Sequence, residues 1–191
     1  MNLIINVEEV LSLKKGYYNG MDFWQNEPKD KHIEYPLNEE IVKKAEDLLN
    51  IKFPHSFIDL MKIQNGGELK YPYFILSGVD TEGIPYEERV KLSYILPIHF
   101  ENDDMSIVSS EDLLKEVDLP KGFIVLWTDF HFWVVLDYRN TDNPSVMYIA
   151  ENFLASTNEI TEWEYIKITD SFDEFLKKLF RSSTNWRFSK K

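Results

Sequence analysis

The chain has 191 residues, 43% hydrophobic and 28% charged, the balance of an ordinary globular protein long enough to bury its own core. It contains no cysteine, which excludes disulfides, thiolate metal sites and cysteine nucleophiles and fits a reducing compartment. A formal net charge of −12 repels nucleic-acid phosphates and steers basic proteins toward the surface, although solubility alone is served by the same charge.

The first residues lack the basic, apolar and small-residue blocks of a signal peptide, and no run approaches the roughly 18 apolar residues of a membrane span. The expectation is a cytoplasmic protein of one domain over 1–191, bound to neither membrane nor nucleic acid. Asn6 and Glu9 form a capping box ahead of Val7, Val10 and Leu11, which predicts a short helix. The stretch KGYYNGMDFWQNEP predicts an irregular wrap whose Tyr17, Phe23 and Trp24 either pack on a neighbouring surface or offer a binding edge.

A helix is predicted from Asn38. Leu37 and Val42 stand in staple positions, Glu39 and Glu40 suit the positive end of the helix dipole, and Asn50 is the stop. Ile41, Ala45, Leu48 and Leu49 form the predicted core stripe. Pro54 opens a second helix, with Phe53 at its entry and Phe57, Leu60 and Met61 as its apolar face. That helix ends near Gln64, where Asn65 and Gly66 suit a left-handed cap. Gly67 then asks for a close backbone approach or another unusual torsion.

Beyond the glycines, YPYFIL predicts a strand that Pro72 places at its start or at an edge. Residues 77–91 read as an acidic loop, LSYILPI as an apolar β-rich segment, and 99–105 as a polar break. Ser109 with Asp112 predicts the opening of a short helix through Val117. GFIVLW and FHFWVVLDY are two strands, joined if Thr128-Asp129 makes a tight hairpin. SVMYIAEN is a third. TEWEYIKIT is a fourth, with Trp163, Tyr165 and Lys167 on one face. Ser171 with Glu174 caps a last helix whose stripe is Phe172, Phe175, Leu176, Leu179 and Phe180. Segregated helices and strands predict an α+β fold, mainly antiparallel sheet with helices packed against it.

Three constellations bear on chemistry. Asn65-Gly66-Gly67 follows a helix and precedes a strand, the reverse of a phosphate loop. His99 with Asp103 and Asp104 has metal-ligand composition, but a solvated acidic turn accounts for the same letters. Asp129 could orient His131 as a general base, yet no nucleophile motif accompanies them. Glu82, Glu87 and Glu88, together with Asp103 and Asp104, supply acid to two segments: a docking patch for a basic partner, or a solvated surface.

The run PLNEEIVKKAEDLLNIKFPHSFIDLMKIQNGG resembles the signature of the SUKH superfamily, "I..aE..L" followed by "LP..y..fl...NGG". The matching residues are Ile41, Ala45, Glu46, Leu48, Pro54, Phe57, Leu60, Asn65, Gly66 and Gly67, with Phe53 where the family usually has leucine. FWVVLDYRNTDNPSVMYI is similar to the strands around "lDyr…P.V", and DSFDEFLKKLF to the closing "sF.eFl..L" helix, so the likeness runs from about Tyr18 to Phe180. Of these, the NGG element is the most specific. The resemblance implies an α+β fold, a structural role for Pro54, Asn65, Gly66 and Gly67, and a binding function without catalytic residues, metal or cofactor. Bacterial members typically are immunity proteins that bind and neutralise a toxin, often a basic nuclease; fungal relatives suggest a regulatory scaffold instead.

Overall fold

The computed structural model describes residues 16–25, 35–79, 83–101, 105–153 and 161–181. The short helix expected after Asn6 lies outside these residues. Helix α1 spans Glu39–Leu49, and the Asn38 side chain accepts the Ile41 N–H at 2.9 Å. This cap satisfies one of the orphan donors of the first turn. Asn38→Ala is expected to lower stability by about 1 kcal/mol, read as a shift of the thermal midpoint with the fold unchanged. Ala45 is buried and Ile41 and Leu49 are half-buried, but Leu48 is 62% exposed, against the expectation. The helix lies at the margin of the core, which Ile41, Val42, Ala45 and Leu49 meet, and Leu48 falls outside that covered stripe.

Helix α2 spans His55–Ile63 and follows Pro54 as expected, with Phe53, Phe57, Leu60 and Met61 buried. The exit differs. Gln64 is extended, Asn65 is not left-handed, and the positive φ angles fall on Gly66 (85°) and Gly67 (115°). The helix is therefore not closed by a left-handed Asn cap. Strand β1, Gly67–Glu68, follows at once. The aromatic wrap packs here: Phe23 and Trp24 are 3% exposed, and the Trp24 indole donates to Leu60 O at 3.0 Å.

Strands β2, Tyr73–Val79, and β3, Pro85–Lys91, form an antiparallel hairpin. The acidic loop expected over 77–91 is thus mostly strand. Within β3 the one aliphatic residue, Val90, gives no legible alternation, and pairing to the preceding strand supplies the order instead. Pro72 stands just ahead of β2, as expected. Strand β4, Tyr94–Ile95, pairs antiparallel with β1.

A 3₁₀ turn over Ile107–Ser109 leads into α3, Ser110–Glu116. Ser106, not Ser109, supplies the cap: its Oγ accepts from Val108 N–H at 3.3 Å and from His99 N–H at 3.1 Å. Ser109 makes no side-chain cap bond. Strands β5, Phe123–Thr128, β6, Phe132–Asp137, β7, Ser145–Glu151, and β8, Trp163–Thr169, form an antiparallel meander in chain order. The β5–β6 connection is longer than a two-residue hairpin. Phe130 takes φ 72°, and Asp129 Oδ1 accepts the N–H of both His131 and Phe132.

Helix α4, Phe172–Lys178, is capped by Ser171, which accepts the Glu174 N–H at 3.2 Å. Phe172, Phe175, Leu179 and Phe180 are buried. The Phe172 ring meets Phe57 of α2 and the Phe175 ring meets Phe74 of β2, so α2, α4 and the β2–β3 hairpin share one apolar mass. The Phe74 ring also meets Tyr148 of β7, which seats that mass on one face of the meander. The fold is α+β, built on antiparallel sheets with four helices among the described residues.

Candidate functional site

Family-motif residues meet at two structural corners. Glu46 Oε1 accepts the Phe53 N–H at 3.1 Å and its Oε2 pairs with Lys52 at 2.5 Å, which ties the α1–α2 turn. The Tyr138 hydroxyl donates to Lys52 O at 2.7 Å, joining that turn to the end of β6. Burial, and then the Glu46 carboxylate, push the Tyr138 phenol well above its ordinary pKa. Arg139 forks onto Asp137 through Nε (2.9 Å) and Nη2 (3.0 Å) and lies over the Phe123 ring at 4.2 Å. Asn65 and the two glycines form the second corner. The Asn65 amide donates to Ile98 O (2.8 Å) and Tyr35 O (2.9 Å), and its Oδ1 accepts the Ile98 N–H (2.9 Å). These residues hold elements together.

Catalytic readings do not find their geometry. His131 Nδ1 pairs with Glu151 Oε2 at 2.6 Å, while Asp129 spends its carboxylate on backbone N–H groups. The expected Asp129–His131 pair is therefore absent, because the turn needs Asp129 to order itself. His99 is 4% exposed, stacks on Tyr35 at 4.0 Å, and accepts the Glu101 N–H at 3.2 Å. Asp103 and Asp104 lie outside the described residues. Among the described residues no cluster of three or more His, Asp or Glu is placed to hold a metal ion, and no helix is long and apolar enough to cross a membrane.

Among the described residues, a groove of about 300 Å³ lies between β3 and one face of the meander. Its floor carries Trp127, Phe132, Tyr148 and Ile166, one from each of the four strands. Tyr86, Glu88 and Val90 line it from β3, and Glu164 from β8. Register explains the grouping. Phe132 opposes Ala150, Tyr148 opposes Ile166, and Ala150 opposes Glu164, so these side chains share one face. The aromatic floor continues outward: Phe132 stacks on Tyr148 at 5.9 Å and meets Phe153 at 6.3 Å, and Phe153 meets His131 at 5.5 Å. Phe153 is 58% exposed and Phe130 38%. Phe130 meets Trp133, on the other face of β6, at 5.7 Å, so it is Phe153 that extends the floor. An exposed aromatic continuing a groove floor is the composition of a protein-binding surface.

Burial first, then Glu88, Asp129 and Tyr86, raise the Tyr148 phenol far above its usual pKa. Tyr94, whose hydroxyl donates to Thr128 O at 3.0 Å, is raised by burial and then by Asp129.

Of the acidic residues expected to form one patch, Glu82, Asp103 and Asp104 lie outside the described residues. Glu87 and Glu88 do not act together. They are successive residues of β3, so Glu88 shares the groove side with Tyr86 and Val90 while Glu87 points to the other face. Sequence reasoning missed the floor. Alternation in TEWEYIKIT had placed Trp163, Tyr165 and Lys167 on one face; the complementary row, Glu164 and Ile166, is the one that lines the groove.

Comparison with known proteins bears on the fold described above. The model of the SMI1 / KNR4 family (SUKH-1) matches residues 36–178, which takes in α1 through α4 and all eight strands. No curated protein and no solved structure gives a match. The matched segment covers most of the chain and includes both motif corners: the chain belongs to the SMI1 / KNR4 family (SUKH-1).

Proposed function

We propose that this chain is a non-enzymatic immunity protein: a single SUKH-like domain, with its recognisable core at about 18–180, that binds a cognate toxin one-to-one and blocks it. The observation that carries the reading is the aromatic groove with acidic side chains at its margin, in a chain of net charge −12. A basic nuclease domain fits that surface by charge, and the exposed Phe153 supplies an anchor of the kind that dominates binding energy. Family membership supports binding as the general function; toxin neutralisation is the reading drawn from it here.

Tagged protein co-expressed with the product of an adjacent toxin gene is expected to capture it one-to-one and to restore growth. Raising salt from about 50 mM to about 500 mM is expected to slow association markedly, because charge steering is screened over a few ångströms at high ionic strength. Failure to bind or neutralise any such product overturns the immunity reading. Recovery of several partners with no relief of toxicity favours a scaffold.

A further inference from the structure

We propose that the groove receives an extended basic segment of the partner, which adds as a strand to the free edge of β3 and places one arginine or lysine side chain between Glu88 and Glu164. The partner's being a toxin rests on the immunity reading; the groove's preference for such a segment does not.

The first support is the edge. β3 pairs only with β2, and among the described residues its other edge carries no strand. Four consecutive residues, Glu88 to Lys91, border the groove. Side chains of a strand alternate between faces, so four in a row border a cavity only where the strand turns its edge to it. An added strand therefore runs along one wall and lays every second side chain on the floor.

The second support is charge. Glu88 has no cationic partner among the described residues. Among the described residues Glu164 accepts only a neutral amide, from Asn152 at 3.1 Å. Two basic residues do border the groove. Arg89 lies over the Tyr73 ring at 4.7 Å, and Lys91 opposes Tyr73 in the register, so both belong to the other face of the hairpin. The Tyr148 phenol, at the floor, is raised by burial first and then by Glu88 and Asp129. Trp127, Phe132 and Tyr148 line the floor, apolar surface on which the methylene stem of a basic side chain can pack.

The same charges choose among occupants. Exposed edges are commonly guarded against self-association by charge and proline, and β3 carries Pro85, Glu87 and Glu88. A second copy would bring the same acids and another −12. A basic strand meets that field with the opposite charge, and the basic residues of β3, Arg89 and Lys91, lie on the face turned from the floor.

The test uses the whole chain and a short blocked peptide of alternating threonine and valine with one central arginine, followed by amide chemical shifts. Saturable binding is expected, with the largest shifts along Glu88–Lys91 and at Tyr148 and Ile166. Replacing the arginine by citrulline is expected to weaken binding roughly tenfold or more. Glu88→Gln with Glu164→Gln is expected to do the same while leaving the melting temperature in place, and Glu87→Gln on the outer face should change little. N-methylation of peptide amides in one of the two strand registers is expected to abolish binding. The proposal is overturned if no saturable binding occurs up to about 1 mM. Equal binding of the citrulline peptide, indifference to the double variant, or pairing of two copies through β3 overturns it too. A toxin neutralised equally well by the double variant removes the groove and leaves the immunity reading standing.

Discussion

Asn65→Ala is expected to destabilise the protein by about 3–5 kcal/mol, one of the largest losses available from a single truncation. Asn65 is 5% exposed, and its amide spans both the N–H and the C=O of Ile98 as a neighbouring strand would. Truncation leaves those two backbone groups buried without a partner, and each such orphan costs about 1–3 kcal/mol. Asn65→Asp separates hydrogen bonding from space filling. The carboxylate has the same shape and still accepts the Ile98 N–H, but at neutral pH it cannot donate to Ile98 O or Tyr35 O. It is expected to be at least as damaging as Ala at pH 7. Chemical denaturation of both variants checks this; an Asp variant as stable as wild type would show that volume, not the amide, is what the corner requires.

Gly66→Ala is expected to cost about 3 kcal/mol, or roughly 6–12 °C in Tm for a chain of this size. Two effects add. At φ 85° a side chain is strained wherever it points. A Cβ would also lie 2.8 Å from Ile95 O and from Pro97 N, and 2.9 Å from Pro97 Cα, which are backbone atoms that cannot swing aside. Gly67, at φ 115°, is in a region that other residues rarely adopt, and Gly67→Val is expected to lose stability before it loses any specific contact. Thermal melts beside a binding assay decide the point. A Gly67→Val protein that melts like wild type but fails to bind would move this corner from architecture to interface.

The two corner variants and the groove variants should therefore separate cleanly. Asn65 and Gly66 substitutions lower the melting temperature, whereas Glu88→Gln with Glu164→Gln should leave it and lower affinity. That division follows from where the groups lie. Asn65 is enclosed and its hydrogen bonds have no water to replace them; Glu88 is exposed, and a charge there gains or loses only through a partner.

Much of the fold was legible because its cues are local. Asn38, Pro54 and Ser171 mark helix starts through bonds or torsions made within one turn, and the strands of the meander announce themselves by apolar runs. Local cues failed where a distant segment decided. Leu48 fits a helical stripe but meets no core, since only packing determines how wide a stripe is covered. PYEERVK has no apolar rhythm and becomes a strand because β2 pairs with it residue by residue. Asp129 was paired with His131 on spacing, yet His131 found Glu151, twenty residues on and one strand over.

The sequence by itself determined the fold class and the unusual demands of Asn65-Gly66-Gly67, since capping, periodicity and glycine's torsional freedom are written in neighbouring letters, and its motifs carried the resemblance to the family. It also determined the acidity that any partner must accommodate. Only the tertiary structure decided where that acidity counts. Glu87 and Glu88 are adjacent in the chain and part company in a strand, while Glu88 and Glu164 are far apart in the chain and line one groove. Register and sheet packing set that, through backbone hydrogen bonds between strands that no local pattern specifies.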